Sequence, residues 1–256
     1  LVAEGKLSEE KIDNMLFRVL KLKNRFCLFE NPNYETNKEK EDEIALCEKH
    51  RELARTAAEK SFVLLKNDGI LPLEKSTKIA VVGPFANEKN IIGAWCCLGR
   101  AEDAVSVIEG IEKYLGMHVK SAKGCSADLL SEDFSDINET ETVAAEADVV
   151  IVCIGEKSCD SGEGASRAKL EITKPQAELV KTMKKSGKKV VCVVFGGRPQ
   201  VLTEIEPYSD AILYVWQPGT EGGTAIARVL YGEINPSGKL TMSFPRATGQ
   251  CPIYYN

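Results

Sequence analysis

The chain has 256 residues, 43% of them hydrophobic and 28% charged, with a formal net charge of −5. That length can bury a substantial core, as one large domain or two smaller ones. The acidic balance and scattered lysines leave no nucleic-acid footprint, and no apolar run approaches the roughly 20 residues of a membrane helix, so a small molecule or another domain is the expected partner.

In chain order, the first element is "SEEKIDNMLFRVLKLKNRF". Ser8 is placed to cap it, Glu9 and Glu10 suit the positive end of a helix, and Ile12, Met15, Leu16, Val19, Leu20, Leu22 and Phe26 recur at helical spacing. The stretch "ENPNYETNKEKED" has no periodicity and reads as a linker, and a second helix is expected from about Glu41 to Lys60. After it, strand and helix patterns alternate. The strands are "KIAVVGP" (78–84), "MHVKSAKG" (117–124), "DVVIVCIG" (148–155), "KKVVCVVFG" (188–196) and "DAILYVW" (210–216). The helical patterns between and after them are "AVSVIEGIEKYLG", "ETVAAEA", "PQAELVKTMKKSG" and "EGGTAIARVLYG". Continuous apolar strands separated by helices predict an α/β fold whose largely parallel sheet is covered on both faces. The chain starts at Leu1 close to a helix and stops at "GQCPIYYN", so it reads as a piece of something longer.

The nine cysteines are an odd number, and Cys153 and Cys192 fall inside apolar strand patterns, where a thiol packs as a small hydrophobe. No paired CxxC spacing occurs, and His50 and His118 are far apart, so no metal site is expected. Reduced thiols point to a cytoplasmic setting.

Ligands of such sheets bind beyond the carboxyl ends of the strands. There the chain carries "GEKSCDSGEGASRAKLEI" (155–172), far longer than the two to six residues a strand-to-helix turn needs. Glu156, Asp160 and Glu163 lie between Gly155 and Gly164 against the single base Lys157. A nucleotide site is poorly supported. "GPFANE" lacks a phosphate-binding glycine pattern, carboxylates would repel phosphate, and "GGRPQ", where Gly196, Gly197 and Arg198 could hold an anion, is equally a tight turn opened by Pro199. Carboxylates without metal ligands suit proton transfer or hydroxyl recognition. A glycosidase needs two carboxyl groups on opposite sides of the scissile bond, and Glu156 and Glu163 would approach from the same side. One acid from this loop with a partner from elsewhere fits better. A merely solvated loop, or a weak calcium site, stays open on the residues alone.

Several stretches resemble the second domain of family 3 glycoside hydrolases, the β-glucosidase family. They are "DSGEGASRAKLEI" followed by "PQ", "WQPGTEGGTAIARVLYGEINPSGKLTMSFPR" (216–246), "SFVLLKNDGILPL" (61–73) and "KIAVVGPFANE" (78–88). "GKLSEEKIDNMLFRVLKLKNRFCLFENP" is similar to the last helix of the preceding barrel. The resemblance implies about six mostly parallel strands sandwiched between helices. It implies residues 1–31 as the end of a (β/α) barrel, 32–246 as the sandwich with its entry linker, and 247–256 as the start of a linker onward. It further implies a retaining exo-acting β-glycosidase, most simply a β-glucosidase, whose aspartate nucleophile sits on the barrel while this domain lends the acid/base. On the family's pattern Glu163 matches the acid/base and Glu156 is the second candidate. Trp95 and Arg167 match substrate-binding positions, with Arg167 alternatively orienting the loop or pairing with a carboxylate. Trp216, Glu221, Gly222 and Gly223 are read as structural. The expected partners are a β-linked glucoside or oligosaccharide and the barrel domain of the same polypeptide, with no cofactor, metal, nucleic acid or membrane. The alternative is a non-catalytic sugar-binding or scaffold domain of the same fold. The loop 157–166 is expected to be mobile without the barrel against it.

Overall fold

The computed structural model describes residues 1–32 and 37–254, and the chain divides into two compact units, Leu1–Cys47 and Glu48–Asn256. The first holds α1 (Glu9–Arg25) and α2 (Lys38–Ile44). Ser8 occupies the N-cap position of α1 with an extended backbone, but its side chain makes no capping bond. No residue of α1 is buried; Met15, Leu16, Phe17, Val19 and Leu22 of its apolar stripe lie exposed.

Two expectations along this stretch are corrected. Part of the linker is helical: Asn37 accepts a capping bond from the Lys40 amide at 2.8 Å, and Lys38 pairs with Asp42 one turn on at 2.6 Å. Residues 33–36 of that linker lie outside the described residues. The single helix expected from Glu41 to Lys60 is two, α2 and α3 (Glu48–Ser61), because Leu46 between them takes a left-handed φ of 57°.

The second unit is an α/β sandwich around a six-stranded sheet. Its strands are β1 (Val63–Asn67), β2 (Ile79–Val82), β3 (Lys120–Ala122), β4 (Val149–Gly155), β5 (Lys189–Phe195) and β6 (Ala211–Trp216), in the order β1-β6-β5-β4-β2-β3. All neighbours are parallel except β1, which runs antiparallel to β6 with an irregular register between Leu64 and Lys66. The central pair β4–β5 is in unbroken register from Val149↔Lys189 to Gly155↔Phe195.

Alternate side chains of the central strands enter two cores. Ile151, Cys153, Val191, Val193, Leu213 and Val215 pack towards α3, α4 (Val107–Leu115) and α7 (Gly222–Leu230). Val150, Val152, Ile154, Val190, Cys192 and Tyr214 pack towards α5 (Ile137–Ala144) and α6 (Lys174–Lys185). Burial on both faces is why these strands read as continuous apolar runs. It also pushes the Cys192 thiol up to about 12, so this cysteine acts as a packing group.

The four residues read as structural are so, each for a local reason. A Cβ on Gly223 would fall 1.9 Å from the Ser106 carbonyl oxygen, and one on Gly110 would fall 2.2 Å from the Gly223 backbone, so α4 and α7 cross with their backbones almost touching. A Cβ on Gly222 would meet Pro218 at 2.6 Å. Buried Glu221 pairs with Arg51 at 2.7 Å and accepts from the Thr224 hydroxyl at 2.9 Å. Trp216 ends β6 with a positive φ and donates its indole N–H to the Ser61 carbonyl at 3.2 Å.

At the opposite end of the sheet Asp210 ties α6 to β5: its carboxylate accepts from Lys184 at 2.6 Å, the Val190 amide at 2.9 Å and Lys189 at 3.3 Å. Burial alone would raise this carboxyl, but the Lys184 bond, the Val190 amide and Lys189 outweigh it and hold it below the usual carboxylate range. A group depressed in the folded state stabilises it above the unfolded pKa, and loses that contribution as pH falls through the folded one. Asp210→Asn should therefore cost about 1–2 kcal/mol in urea unfolding at pH 7. The penalty should shrink as pH falls below about 4; a penalty unchanged down to pH 3 would contradict this account.

Candidate functional site

The carboxyl ends of the central strands are shaped by glycine. Gly155, the last residue of β4, has φ 137°, and a Cβ there would sit 1.9 Å from the Phe195 carbonyl oxygen. Gly83, just after β2, has φ 109°, with Cys153 O 2.2 Å from a notional Cβ. Only glycine fits such backbone angles at such separations, so β4 can leave the sheet tight against both neighbours. Gln176 of α6 locks the exit: its side-chain oxygen accepts from the Gly155 amide at 2.6 Å and its NH2 donates to the Gly155 carbonyl at 3.0 Å. This is the glutamine of the "PQ" pair.

Glu156 follows directly. Its residue surface is 3% exposed, and its amide donates to the Phe195 carbonyl at 2.9 Å. Its carboxylate lies between two guanidiniums: one oxygen accepts from Arg167, and Arg198 Nε stands 3.4 Å from the other. Burial pushes the Glu156 carboxyl above the usual carboxylate range, and Arg167 and Arg198 pull against that push. Arg167 also donates to the Glu171 carbonyl at 3.2 Å, and its side chain is 9% exposed. The Arg167 guanidinium thus faces inward to Glu156.

The next segment is fastened at several points. Residues Ser158–Asp160 form a short 3-10 turn, closed by the Asp160 carboxylate accepting from the Lys157 amide at 3.0 Å. The Ser158 hydroxyl donates to the Asn90 carbonyl at 2.6 Å, and Gln217 donates to the Ser161 hydroxyl at 2.9 Å. Arg198 donates to the Asp160 carbonyl and, at 2.8 Å, to the Ala165 carbonyl. These bonds counter the expectation of a mobile loop at 157–166, because the anchors come from this domain itself. They also dispose of the anion site in "GGRPQ", where Arg198 faces Glu156 and Gln200 donates to the Phe195 carbonyl at 2.7 Å and to the Tyr214 hydroxyl at 2.9 Å.

Glu163 stands apart. It is exposed between Gly162 (φ 120°) and Gly164 (φ 74°) and has no hydrogen bond or ion pair with any described residue. Trp95, 68% exposed, lies against the preceding residue: a Cβ on Gly162 would lie 3.1 Å from the indole nitrogen. The structure thus places Gly162, the residue before Glu163, against the exposed Trp95, and pairs Glu156 with Arg167 in the interior. A cleft of about 440 Å³ lined by Lys60, Gly197, Arg198, Trp216 and Met242 lies at the same edge, but Glu163 and Trp95 do not line it. No group of three His, Cys, Asp or Glu among the described residues could hold a metal ion. Arg198 is the residue whose place here the sequence does not reveal, because its partners lie more than thirty positions away; the arginine in "GGRPQ" was the only signal.

A pinned loop at the carboxyl edge of a doubly covered sheet thus carries the exposed Glu163, which has no partner among the described residues, with Gly162 before it packed near the Trp95 indole. Residues 62–256 match the glycosyl hydrolase family 3 C-terminal domain, and the chain belongs to that family. All of the chain aligns at 37% identity with a periplasmic beta-glucosidase of Salmonella typhimurium, covering 37% of that protein. A beta-xylosidase of Formosa agariphila aligns at 40% identity with 81% of the chain, covering 30% of that enzyme. Among solved structures, a beta-glucosidase from Listeria innocua in complex with glucose matches the whole chain with TM-score 0.86 and 40% identity, over 35% of that protein. The chain spans about a third of the length of these relatives.

The two glutamates should separate in stability. Glu156→Ala leaves two guanidiniums facing a void and should cost about 3–5 kcal/mol. Glu163→Ala removes an exposed, unpaired side chain and should stay within about 0.5 kcal/mol. Equal penalties in chemical denaturation would refute this division.

Proposed function

We propose that this chain is the acid/base-bearing domain of a retaining, exo-acting β-glycosidase of β-glucosidase type. Its active site is completed by a (β/α) barrel domain of the same polypeptide, and its substrate is a β-linked glucoside or oligosaccharide. The observation that carries the reading is the contrast between the two loop glutamates: Glu156 is buried and paired, whereas Glu163 is exposed, without a partner among the described residues, and carried on an anchored loop. The family's relatives support the reaction class, being beta-glucosidases and beta-xylosidases. A beta-glucosidase variant from Listeria innocua in complex with laminaribiose, TM-score 0.84 at 39% identity, supports a glucoside as ligand.

In the proposed mechanism a barrel carboxylate attacks the anomeric carbon while Glu163 gives its proton to the departing glycosidic oxygen. The covalent glycosyl intermediate is then opened by water, whose proton returns to Glu163. Docking against a second domain would enclose the Glu163 carboxyl beside the departing oxygen. Trp95, beside Gly162, offers an aromatic face for the sugar or its leaving group. The cytoplasmic setting is proposed on the odd number of thiols alone.

The chain by itself should not hydrolyse aryl β-glucosides, because an acid without the nucleophile cannot form the glycosyl intermediate. In the full-length enzyme, Glu163→Ala should cripple substrates with poor leaving groups, while dinitrophenyl glucosides still complete the first step. Azide should restore turnover and yield a β-glycosyl azide. Rescue in Glu156→Ala instead of Glu163→Ala would move the role to Glu156; rescue in neither would remove the loop from the reaction.

A further inference from the structure

We infer that Arg198 is a positioning residue that fixes the direction of the Glu163 carboxyl, an inference that rests on the acid/base reading of Glu163. The Glu163 tip has the least conformational constraint of its own. Gly162 and Gly164 flank it at positive φ, and the exposed side chain has no partner among the described residues. Its two limbs are closed from outside by one group. The Arg198 guanidinium donates to the Asp160 carbonyl, three residues before Glu163, and to the Ala165 carbonyl, two residues after it. Both bonds come from one terminal nitrogen, Nη2, whose two N–H donors lie at fixed angles in the guanidinium plane, so bonding both carbonyls sets the spacing of the limbs as well as their attachment.

Arg198 is itself immobilised. Its Nε faces Glu156 at 3.4 Å, and its own carbonyl accepts from the Tyr214 hydroxyl at 2.5 Å. Pro199, which follows it, is buried. On its other side, a Cβ on Gly197 would come 2.0 Å from the Ser161 hydroxyl oxygen, so this turn lies directly against the loop it holds. Glu156 keeps Arg167 when Arg198 is removed. The site thus has one arginine that secures the buried carboxylate and another that passes this anchorage on to the catalytic tip.

Displacing a catalytic group by about 1 Å costs on the order of 10²-fold. In the full-length enzyme, Arg198→Ala should lower kcat/KM for alkyl or disaccharide glucosides by about 10²-fold, the loss expected from such a displacement. It should leave KM nearly unchanged and slow the first step of dinitrophenyl glucosides far less, because that step needs no proton. Guanidinium ion at millimolar concentration should restore part of the lost rate, since the vacated space retains two carbonyls and a carboxylate. Arg198→Lys should retain less rate than the wild type, because a freely rotating ammonium is not held in a guanidinium plane beside Glu156 and so does not fix its donors on the two carbonyls. If Arg198→Ala fails to fold, the leaving-group dependence of Arg198→Lys against wild type decides. Equal losses for good and poor leaving groups, or no loss, would overturn the positioning role. Glu163→Ala run in parallel separates the two levels: if it shows the leaving-group selectivity and the Arg198 variants do not, the Arg198 inference alone fails. If Glu163→Ala lacks the selectivity, the acid/base reading falls and the Arg198 role with it.

Discussion

A carboxylate removed from water costs several kcal/mol unless cations meet it there, and Glu156 is met by two. The arrangement of this edge follows from that requirement. Arg167 arrives from the far limb of the same loop and Arg198 from the turn after β5, so neutralising one carboxylate draws three chain segments together. Such buried pairs seldom add net stability compared with a well-packed apolar core, yet removing one partner is costly because the others remain buried and unpaired. The constellation therefore acts chiefly on conformation: a long, polar, glycine-containing loop is held in one course.

The sheet supplies the platform for that loop. Strands buried on both faces leave little freedom at β4 and β5, and the bidentate amide of Gln176 fixes where β4 ends. Gly83 and Gly155 let the chain leave the sheet within contact of neighbouring backbones. Rigidity then passes outward from the sheet to Glu156, to the arginines, and finally to a tip that bears an unpaired acid. A catalytic group needs this combination of an immobile base and an unencumbered functional end.

Much of this was legible in the sequence because the relevant signals are local. The strands β2, β4, β5 and β6 announce themselves as valine- and isoleucine-rich runs, and the loop after β4 by its excess length and its acids. β1 does not: it is short, half-buried, interrupted by an irregular register at Lys66, and it follows a helix without the alternation that marks the parallel strands. The break between α2 and α3 was hidden because a left-handed Leu46 has no compositional signature. Glu163, Glu156, Trp95 and Arg167 follow from the family motif, but the contrast in burial between Glu156 and Glu163 does not. It depends on which glutamate the arginines reach, and Arg198 is separated from Glu156 by most of β4's crossover, including α6. Gly222 and Gly223 open α7 after a turn, and the structure adds close approaches, of Gly223 to Ser106 at the crossing of α4 and α7 and of Gly222 to Pro218.

The central claim is that this domain delivers Glu163, and not Glu156, to a sugar bound by a neighbouring domain. The most direct measurement is a crystal structure of the full-length enzyme, its nucleophile disabled, with an unhydrolysed β-glucoside bound. The account predicts the Glu163 carboxyl within about 3 Å of the glycosidic oxygen and about 5–5.5 Å from the nucleophile's position, with Glu156 still buried between Arg167 and Arg198. A glycosidic oxygen approached by Glu156, or by a carboxyl from outside this loop, would contradict it.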